Sequence, residues 1–171
     1  MGRAKTSKRL WPALVFCLWL AACQRPSAPL SAGRVAPDFR ANDLTGRTVY
    51  LNAELKKPVV LTFFATWCAP CRDEMPLLSE VQQRFAGRVT VLCVVVDPEN
   101  ADRVRSMAAG MATPYPFLLD EGQGIMQAYG VQALPATFVI GVDGRIHSSF
   151  LVFGEVEKTA LTELLTRLTE G

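Results

Sequence analysis

Two cysteines separated by two residues, in Trp67-Cys68-Ala69-Pro70-Cys71, are the residues of this chain best placed to do chemistry. A pair at that spacing can alternate between dithiol and disulfide, so the chemistry in prospect is thiol–disulfide exchange. The preceding apolar run, Val59-Val60-Leu61-Thr62-Phe63-Phe64, reads as a buried strand, and Ala69 to Phe85 reads as a helix. The cysteines therefore sit where strand turns into helix. A thiolate at Cys68 would face the unpaired N–H groups and positive end of that helix, which lowers its pKa below the free value of about 8.5. Cys68 is expected to be the exposed nucleophile that attacks a partner's disulfide. Cys71, one turn further in, is expected to be shielded and to release the reduced partner by attacking the mixed disulfide. Pro70 suits the first helical turn, where its missing N–H costs nothing.

A Cys-x-x-Cys pair is also half of a zinc site. Structural zinc takes four ligands, and beyond this pair the chain offers Cys93, inside an apolar run, and His147, with no second pair at ligand spacing. No metal and no cofactor are expected. A bridge closing so small a loop would remove little unfolded-state entropy, so stabilisation is a poor reason for it.

The N-terminus bears on compartment. Arg3, Lys5, Lys8 and Arg9 precede an apolar stretch from Leu10 to Ala22, which has the charge pattern and length of a secretory signal and is short for a membrane span. It ends in Leu20-Ala21-Ala22-Cys23, which resembles the lipobox of bacterial lipoproteins. That resemblance implies cleavage before Cys23, acylation of its thiol, and a lipid anchor at a membrane outside the cytoplasm. An ordinary cleaved signal, or an uncleaved anchor, is the alternative. The expected organisation is a signal peptide over 1–22, a lipidated flexible tether over 23–33, rich in Pro, Ser and Ala, and one domain over 34–171.

Removal of the signal changes the charge. The chain has 18 Lys and Arg against 16 Asp and Glu, and four of the basic residues lie in the first 22 positions, leaving 14 against 16. The basicity belongs to the signal, and the remainder has neither the basic footprint nor the aromatic interleaving of a nucleic-acid-binding protein. Of the five cysteines, Cys17 leaves with the signal and Cys23 is expected to be acylated. Cys93, in Val89-Thr90-Val91-Leu92-Cys93-Val94-Val95-Val96, reads as a small filler of a strand buried on both faces, with a third redox thiol as the alternative.

The elements that must position the pair alternate along the chain. Weak strand signals at Phe39 to Ala41 and Thr48 to Leu51 flank a turn, and a short helix follows over Asn52 to Leu55. After the redox turn and its helix come a strand at Val89 to Val96 and a helix opened by Asp97-Pro98-Glu99 and running to about Ala112. A short strand at Phe117 to Leu119, a helical turn at Ile125 to Tyr129 and a hairpin of Ala136 to Val142 with Ile146 to Val152 lead to a last helix, Glu155 to Leu168. Val156, Leu161, Leu164, Leu165 and Leu168 are expected to form its apolar face. This order specifies an α/β sandwich with a mixed sheet.

The Trp-Cys-x-x-Cys motif, Pro76 five residues after Cys71, and Leu134-Pro135-Ala136-Thr137-Phe138 resemble a thioredoxin fold. Ala36-Pro37-Asp38-Phe39, Phe63-Phe64-Ala65-Thr66-Trp67-Cys68, Glu74-Met75-Pro76 and Tyr129-Gly130-Val131 resemble, more narrowly, the extracytoplasmic TlpA/ResA-type thiol–disulfide oxidoreductases. The resemblance implies a three-layer thioredoxin-like sandwich with extra N-terminal strands and an inserted helix. It makes Cys68 and Cys71 the redox-active disulfide. It makes Pro135 a cis-proline beside that disulfide, with the backbone of Leu134 free to pair with an extended substrate segment. It makes Trp67 an apolar contact for partners.

Glu74 falls one helical turn beyond Cys71, where the same group carries an acidic residue that manages protons during exchange. Partial burial would raise its pKa and suit it to that role. An exposed glutamate serving only the helix dipole is the alternative. Cytoplasmic thioredoxins have a buried aspartate six residues before the first cysteine, and here that position is Thr62. The resemblance further implies a dithiol reductant of cysteine-containing extracytoplasmic proteins, as in cytochrome c maturation or copper-site assembly, fed by a membrane thiol carrier. Ala69-Pro70 lacks the histidine found in strong oxidants, which agrees with that direction. A copper-delivery module using the two thiols and a thiol peroxidase are the alternatives.

Overall fold

The computed structural model describes residues 29–152 and 154–170. The signal, Cys17 and Cys23 lie outside the described residues. In chain order the elements begin with a small antiparallel hairpin, β1 (Arg40–Asp43) and β2 (Thr48–Tyr50), then a single turn, α1 (Leu51–Glu54). The hairpin is closed by Asp43, whose Oδ1 accepts the Thr45 N–H at 2.8 Å and the Arg47 N–H at 3.0 Å, an arrangement typical of aspartate at a turn.

The two apolar runs form the centre of the sheet. All six residues of β3 (Val59–Phe64) are buried, and all of β4 (Thr90–Val95) beyond its first. Strands covered on both faces cannot alternate polar with apolar, which is why both read as near-continuous Val, Leu and Phe. They run parallel in register from Val59↔Thr90 to Phe64↔Val95, connected by α2 (Ala69–Arg84). A parallel pair requires such a crossover. The helix continues through Pro76.

The chain then passes through α3 (Ala101–Gly110), β5 (Phe117–Leu119) and α4 (Gly124–Ala128), and returns along β6 (Ala136–Ile140) and β7 (Ile146–Phe150) to α5 (Glu155–Glu170). Among the described residues seven strands make one mixed sheet, in the order β2-β1-β5-β4-β3-β6-β7. Helices α2 and α5 pack together over one face. On the other, Tyr129 at the end of α4 is fully buried, with its ring centroid 5.7 Å from that of Phe63 and 5.3 Å from that of Phe138. Its hydroxyl donates to the Pro37 carbonyl at 2.9 Å, tying the Ala-Pro-Asp-Phe segment to the core. This is the thioredoxin-like sandwich, with the β1–β2 hairpin at one edge of its sheet.

Three expectations change. The tether does not extend to residue 33 as a free segment. The Leu30 N–H donates to Tyr129 O, the Gly33 N–H donates to Ile146 O, and Val35 pairs with Arg145, so residues 30–35 are stitched onto the β6–β7 hairpin and α4. The domain thus begins by Leu30. Second, Asp97 opens no α-helix: residues 98–100 form a 3₁₀ turn, α3 starts at Ala101, and the Asp97 carboxylate makes no capping bond. Third, Val156 is 77 % exposed, whereas Leu161 and Leu165 are fully buried. Five residues of helix rotate a side chain well off the stripe shared by positions 161, 164, 165 and 168.

Candidate active site

Strand β3 ends at Phe64, and four residues later Cys68 is the N-cap of α2, with Pro70 in the first turn as anticipated. Cys68 and Cys71 are joined as a disulfide. The Cys71 N–H points at Cys68 Sγ at 3.2 Å, so the sulfur occupies the place a serine or aspartate oxygen takes at a helix N-terminus. On reduction, that donor and the end of the helix dipole favour charge on Cys68. Contrary to expectation, Cys68 is not openly exposed. It is 4 % accessible and Cys71 2 %, and the exposed group beside them is Trp67, at 68 %. The bridge is almost covered, and the exposed indole is its neighbour in the chain.

The redox loop is held by groups from neighbouring elements. Asp97, buried in the loop after β4, accepts the Thr66 N–H at 3.0 Å and the Thr66 hydroxyl at 2.6 Å. Arg72, on the first turns of α2, donates to the Thr66 carbonyl at 3.2 Å. The Val96 N–H donates to Phe64 O at 2.9 Å, which carries the β3–β4 register up to this point and delivers Asp97 to Thr66. In sequence Asp97 reads as a helix opener. The only signal for its other use was its position just past the end of a buried strand parallel to β3, where open α/β sheets place their sites.

The Leu134–Pro135 peptide bond is cis. Strand β6 runs antiparallel to β3 with Ala136 opposite Phe63, so Pro135 leaves the sheet at the level of Phe64, where β3 turns into the redox loop. Leu134 is half-buried. Strand β7 is the sheet edge here, with Phe150 opposite Thr137, and the residues that follow it, Leu151 and Val152, are exposed apolar side chains at the same end of the sheet. A lone exposed Leu or Val carries no such signal in sequence.

Glu74 is buried, not a surface residue: 2 % of it is accessible. Its Oε1 accepts hydrogen bonds from Thr137 Oγ1 at 2.5 Å and Thr62 Oγ1 at 3.2 Å. Burial pushes its carboxyl up to about 7, with the two hydroxyls pulling the other way. Cys93, the neighbour of Thr62 on β4, is a free, fully buried thiol, and burial with Glu74 nearby holds it well above the ordinary range. Its burial agrees with a strand covered on both faces. Tyr115 is pushed up for the same reasons and donates to Met75 O at 3.1 Å.

One strand–helix junction carries Trp67, Cys68, Cys71 and Glu74, and the segment Leu134–Pro135 enters β6 at the same end of the sheet. His147 is elsewhere, with Nε2 3.3 Å from Asp143 Oδ1. No group of three or more His, Cys, Asp or Glu side chains among the described residues is gathered to hold a metal. A cleft of about 560 Å³ opens past the end of β5, lined by Asp38, Arg40, Asp120 and Glu121 among others, and none of its lining residues belongs to the redox loop. A redox pair lying outside the cleft and next to an exposed indole suits a macromolecular partner better than a small enclosed ligand.

The chain is similar to known proteins along most of its length. Residues 32–149 match the AhpC/TSA family. The thiol-disulfide oxidoreductase ResA of Bacillus anthracis is 32 % identical over 141 residues, covering 82 % of this chain and 80 % of that protein. Among solved structures, a chain described as the thiol:disulfide interchange protein DsbE of Chlorobium tepidum superimposes with a TM-score of 0.73 at 29 % identity, covering 83 % of this chain and 99 % of that one. The exposed lipoprotein thioredoxin Etrx1 of Streptococcus pneumoniae superimposes with a TM-score of 0.66 at 26 % identity, covering 77 % and 100 %.

Proposed function

The chain belongs to the AhpC/TSA family and is a thiol–disulfide oxidoreductase of the ResA type, and from that premise we propose that it is a membrane-tethered reductant of partner-protein disulfides outside the cytoplasm. The observation that carries the reading is the Cys68–Cys71 pair at the N-terminus of α2, with a buried acid one turn beyond it.

In the reduced enzyme the Cys68 thiolate attacks one sulfur of a partner's disulfide, forming a mixed disulfide and expelling the partner's other sulfur as a thiolate. Cys71 then loses its proton and attacks Cys68 Sγ. The Cys68–Cys71 bond forms, the mixed disulfide breaks, and the partner leaves with two electrons gained. Glu74, titrating close to neutrality, takes the Cys71 proton in this direction and returns it when a membrane thiol carrier reduces the pair. Trp67 supplies apolar contact, and the Leu134 backbone before Pro135 pairs with an extended segment of the partner. The Ala69-Pro70 dipeptide, without a histidine to stabilise the thiolate, supports reduction over oxidation. Partners are cysteine-containing proteins such as those matured for haem or copper.

The proposed organisation is a signal over 1–22, acylation at Cys23, and a domain beginning by Leu30. The pneumococcal relative is an exposed lipoprotein, which supports the anchor. Among the described residues no helix is long and apolar enough to cross a membrane.

The reduction potential of the pair, equilibrated against thiol–disulfide buffers, tests the direction. A value near the roughly −270 mV of thioredoxin agrees with a reductant, and one near the roughly −120 mV of a strong oxidant overturns it. Mass spectrometry of the mature N-terminus tests the anchor, with diacylglycerol expected on Cys23 and lost in Cys23→Ser.

A further inference from the structure

Three residues on adjacent strands stand in one row across the sheet: Cys93 on β4 is opposite Thr62 on β3, and Thr62 is opposite Thr137 on β6. Glu74 of α2 reaches this row. Thr137 is fully buried and Thr62 is 3 % accessible, so both hydroxyls lie away from bulk solvent. Their oxygens are 2.9 Å apart, and both lie within hydrogen-bond distance of the same carboxyl oxygen, Glu74 Oε1. Each hydroxyl has one hydrogen. When Glu74 is ionised, both hydrogens go to Oε1, because a charged oxygen is the strongest acceptor available.

We propose that Thr62 and Thr137 are positioning residues for the exchange reaction: their hydroxyls converge on Glu74 Oε1, hold the carboxyl group in place one turn beyond Cys71, and leave Oε2 as the oxygen that gives and takes the proton. This rests on the role of Glu74 proposed above and names the groups that make it workable. A carboxyl group this deeply buried, with no donors, would stay protonated through the physiological range and could not accept a proton from Cys71. Two convergent donors stabilise the ionised form and bring the titration back toward neutrality, in the direction that burial opposes. The other ionisable groups facing Glu74 are Cys93 from β4 and Tyr115 from the segment ahead of β5, both held neutral by burial, and Cys71 on its own helix. None of them competes for charge at neutral pH in the oxidised protein.

The row also accounts for Thr62 standing where cytoplasmic thioredoxins carry a buried aspartate. The strand contributes a donor here, and the acid comes from the helix. Two threonines in strands read from sequence as ordinary β-formers, and only the register across β3 and β6 brings them together.

The test is the titration of the Glu74 side-chain carboxyl carbon by NMR in the oxidised protein, with Glu74→Gln identifying the resonance. Thr137→Val and Thr62→Val keep the shape of each side chain and remove its hydroxyl. Each is expected to move the midpoint upward by about one pH unit, the double variant further, and Thr137→Ser to restore the native value. A midpoint unchanged or lowered in both single valine variants overturns the proposal. The pH dependence of oxidised glutathione reduction is measured alongside. If Glu74→Gln leaves that profile unchanged, the proton role of Glu74 fails. If Glu74→Gln alters the profile while the valine variants leave both midpoint and profile in place, the threonines fail and Glu74 stands. A merely structural loss in the valine variants would lower activity at every pH without displacing the midpoint.

Discussion

Replacing Glu74 by Gln makes the stability of the oxidised protein respond differently to pH, and the size of the change follows from burial. The carboxyl group is 2 % accessible and its pKa rises from an ordinary 4.5 to about 7 on folding, because removing it from water disfavours the charged form. In the unfolded chain it ionises near its ordinary value, while in the native state it keeps its proton to near neutrality. Below pH 4.5 both states hold the proton and Glu74 contributes nothing to the pH dependence. Between pH 4.5 and 7 the unfolded state releases its proton first, so stability falls as pH rises, and above 7 the whole difference is in force. At about 1.4 kcal/mol per unit this amounts to about 3 kcal/mol. Glutamine has the same shape and keeps an oxygen for the two threonine hydroxyls, but it cannot ionise. Urea unfolding of native and Glu74→Gln proteins at intervals from pH 4 to pH 8 is therefore expected to show a gap that moves by about 3 kcal/mol in favour of the variant as pH rises. Every other titrating group contributes equally to both proteins and cancels. Two curves that stay parallel over that range would refute the argument, since they would mean that Glu74 ionises alike in the folded and unfolded states.

The loop, the surface and the core give three further expectations. Asp97→Ala strips the acceptor from the buried Thr66 N–H and hydroxyl, so it should cost about 2 kcal/mol in urea unfolding and slow disulfide reduction; a loss under about 0.5 kcal/mol would show that Asp97 does not hold the loop. Trp67→Ala removes a side chain that is 68 % exposed, so stability should stay within about 0.5 kcal/mol while reduction of a protein disulfide slows roughly fivefold; an unaltered rate would remove the indole from partner contact. Leu161→Ala should cost about 2–5 kcal/mol and Val156→Ala under about 0.5 kcal/mol, and equal losses would contradict the observed face of α5.

Burial explains which parts of the site could be read along the chain. The redox pair was legible because its chemistry lies in residue type and a spacing of three, both local to one strand–helix junction. The central strands were legible because continuous β-branched and aromatic residues have few other uses at that length. Positions near element ends moved by a few residues, as in β6, which stops at Ile140, because pairing with a neighbour decides where a strand ends. Cys68 was expected to be open, yet it is almost covered, since accessibility depends on what folds over a residue and not on the residue.

The sequence by itself determined the reacting atoms, the α/β alternation and the central apolar strands, because helix-terminus chemistry and hydrophobic period are properties of short segments. It also pointed to Glu74, through a one-turn offset along a helix. Only the tertiary structure decided that Glu74 is buried, that Thr62 and Thr137 meet at its Oε1, and that the Asp97 carboxylate holds Thr66. Each of those contacts joins residues at least 12 positions apart, from Thr62 and Glu74 to Thr137 and Glu74, which are 63 apart. The two at Glu74 depend on strand register, and a shift of one residue would turn the Thr62 or Thr137 hydroxyl to the opposite face of the sheet.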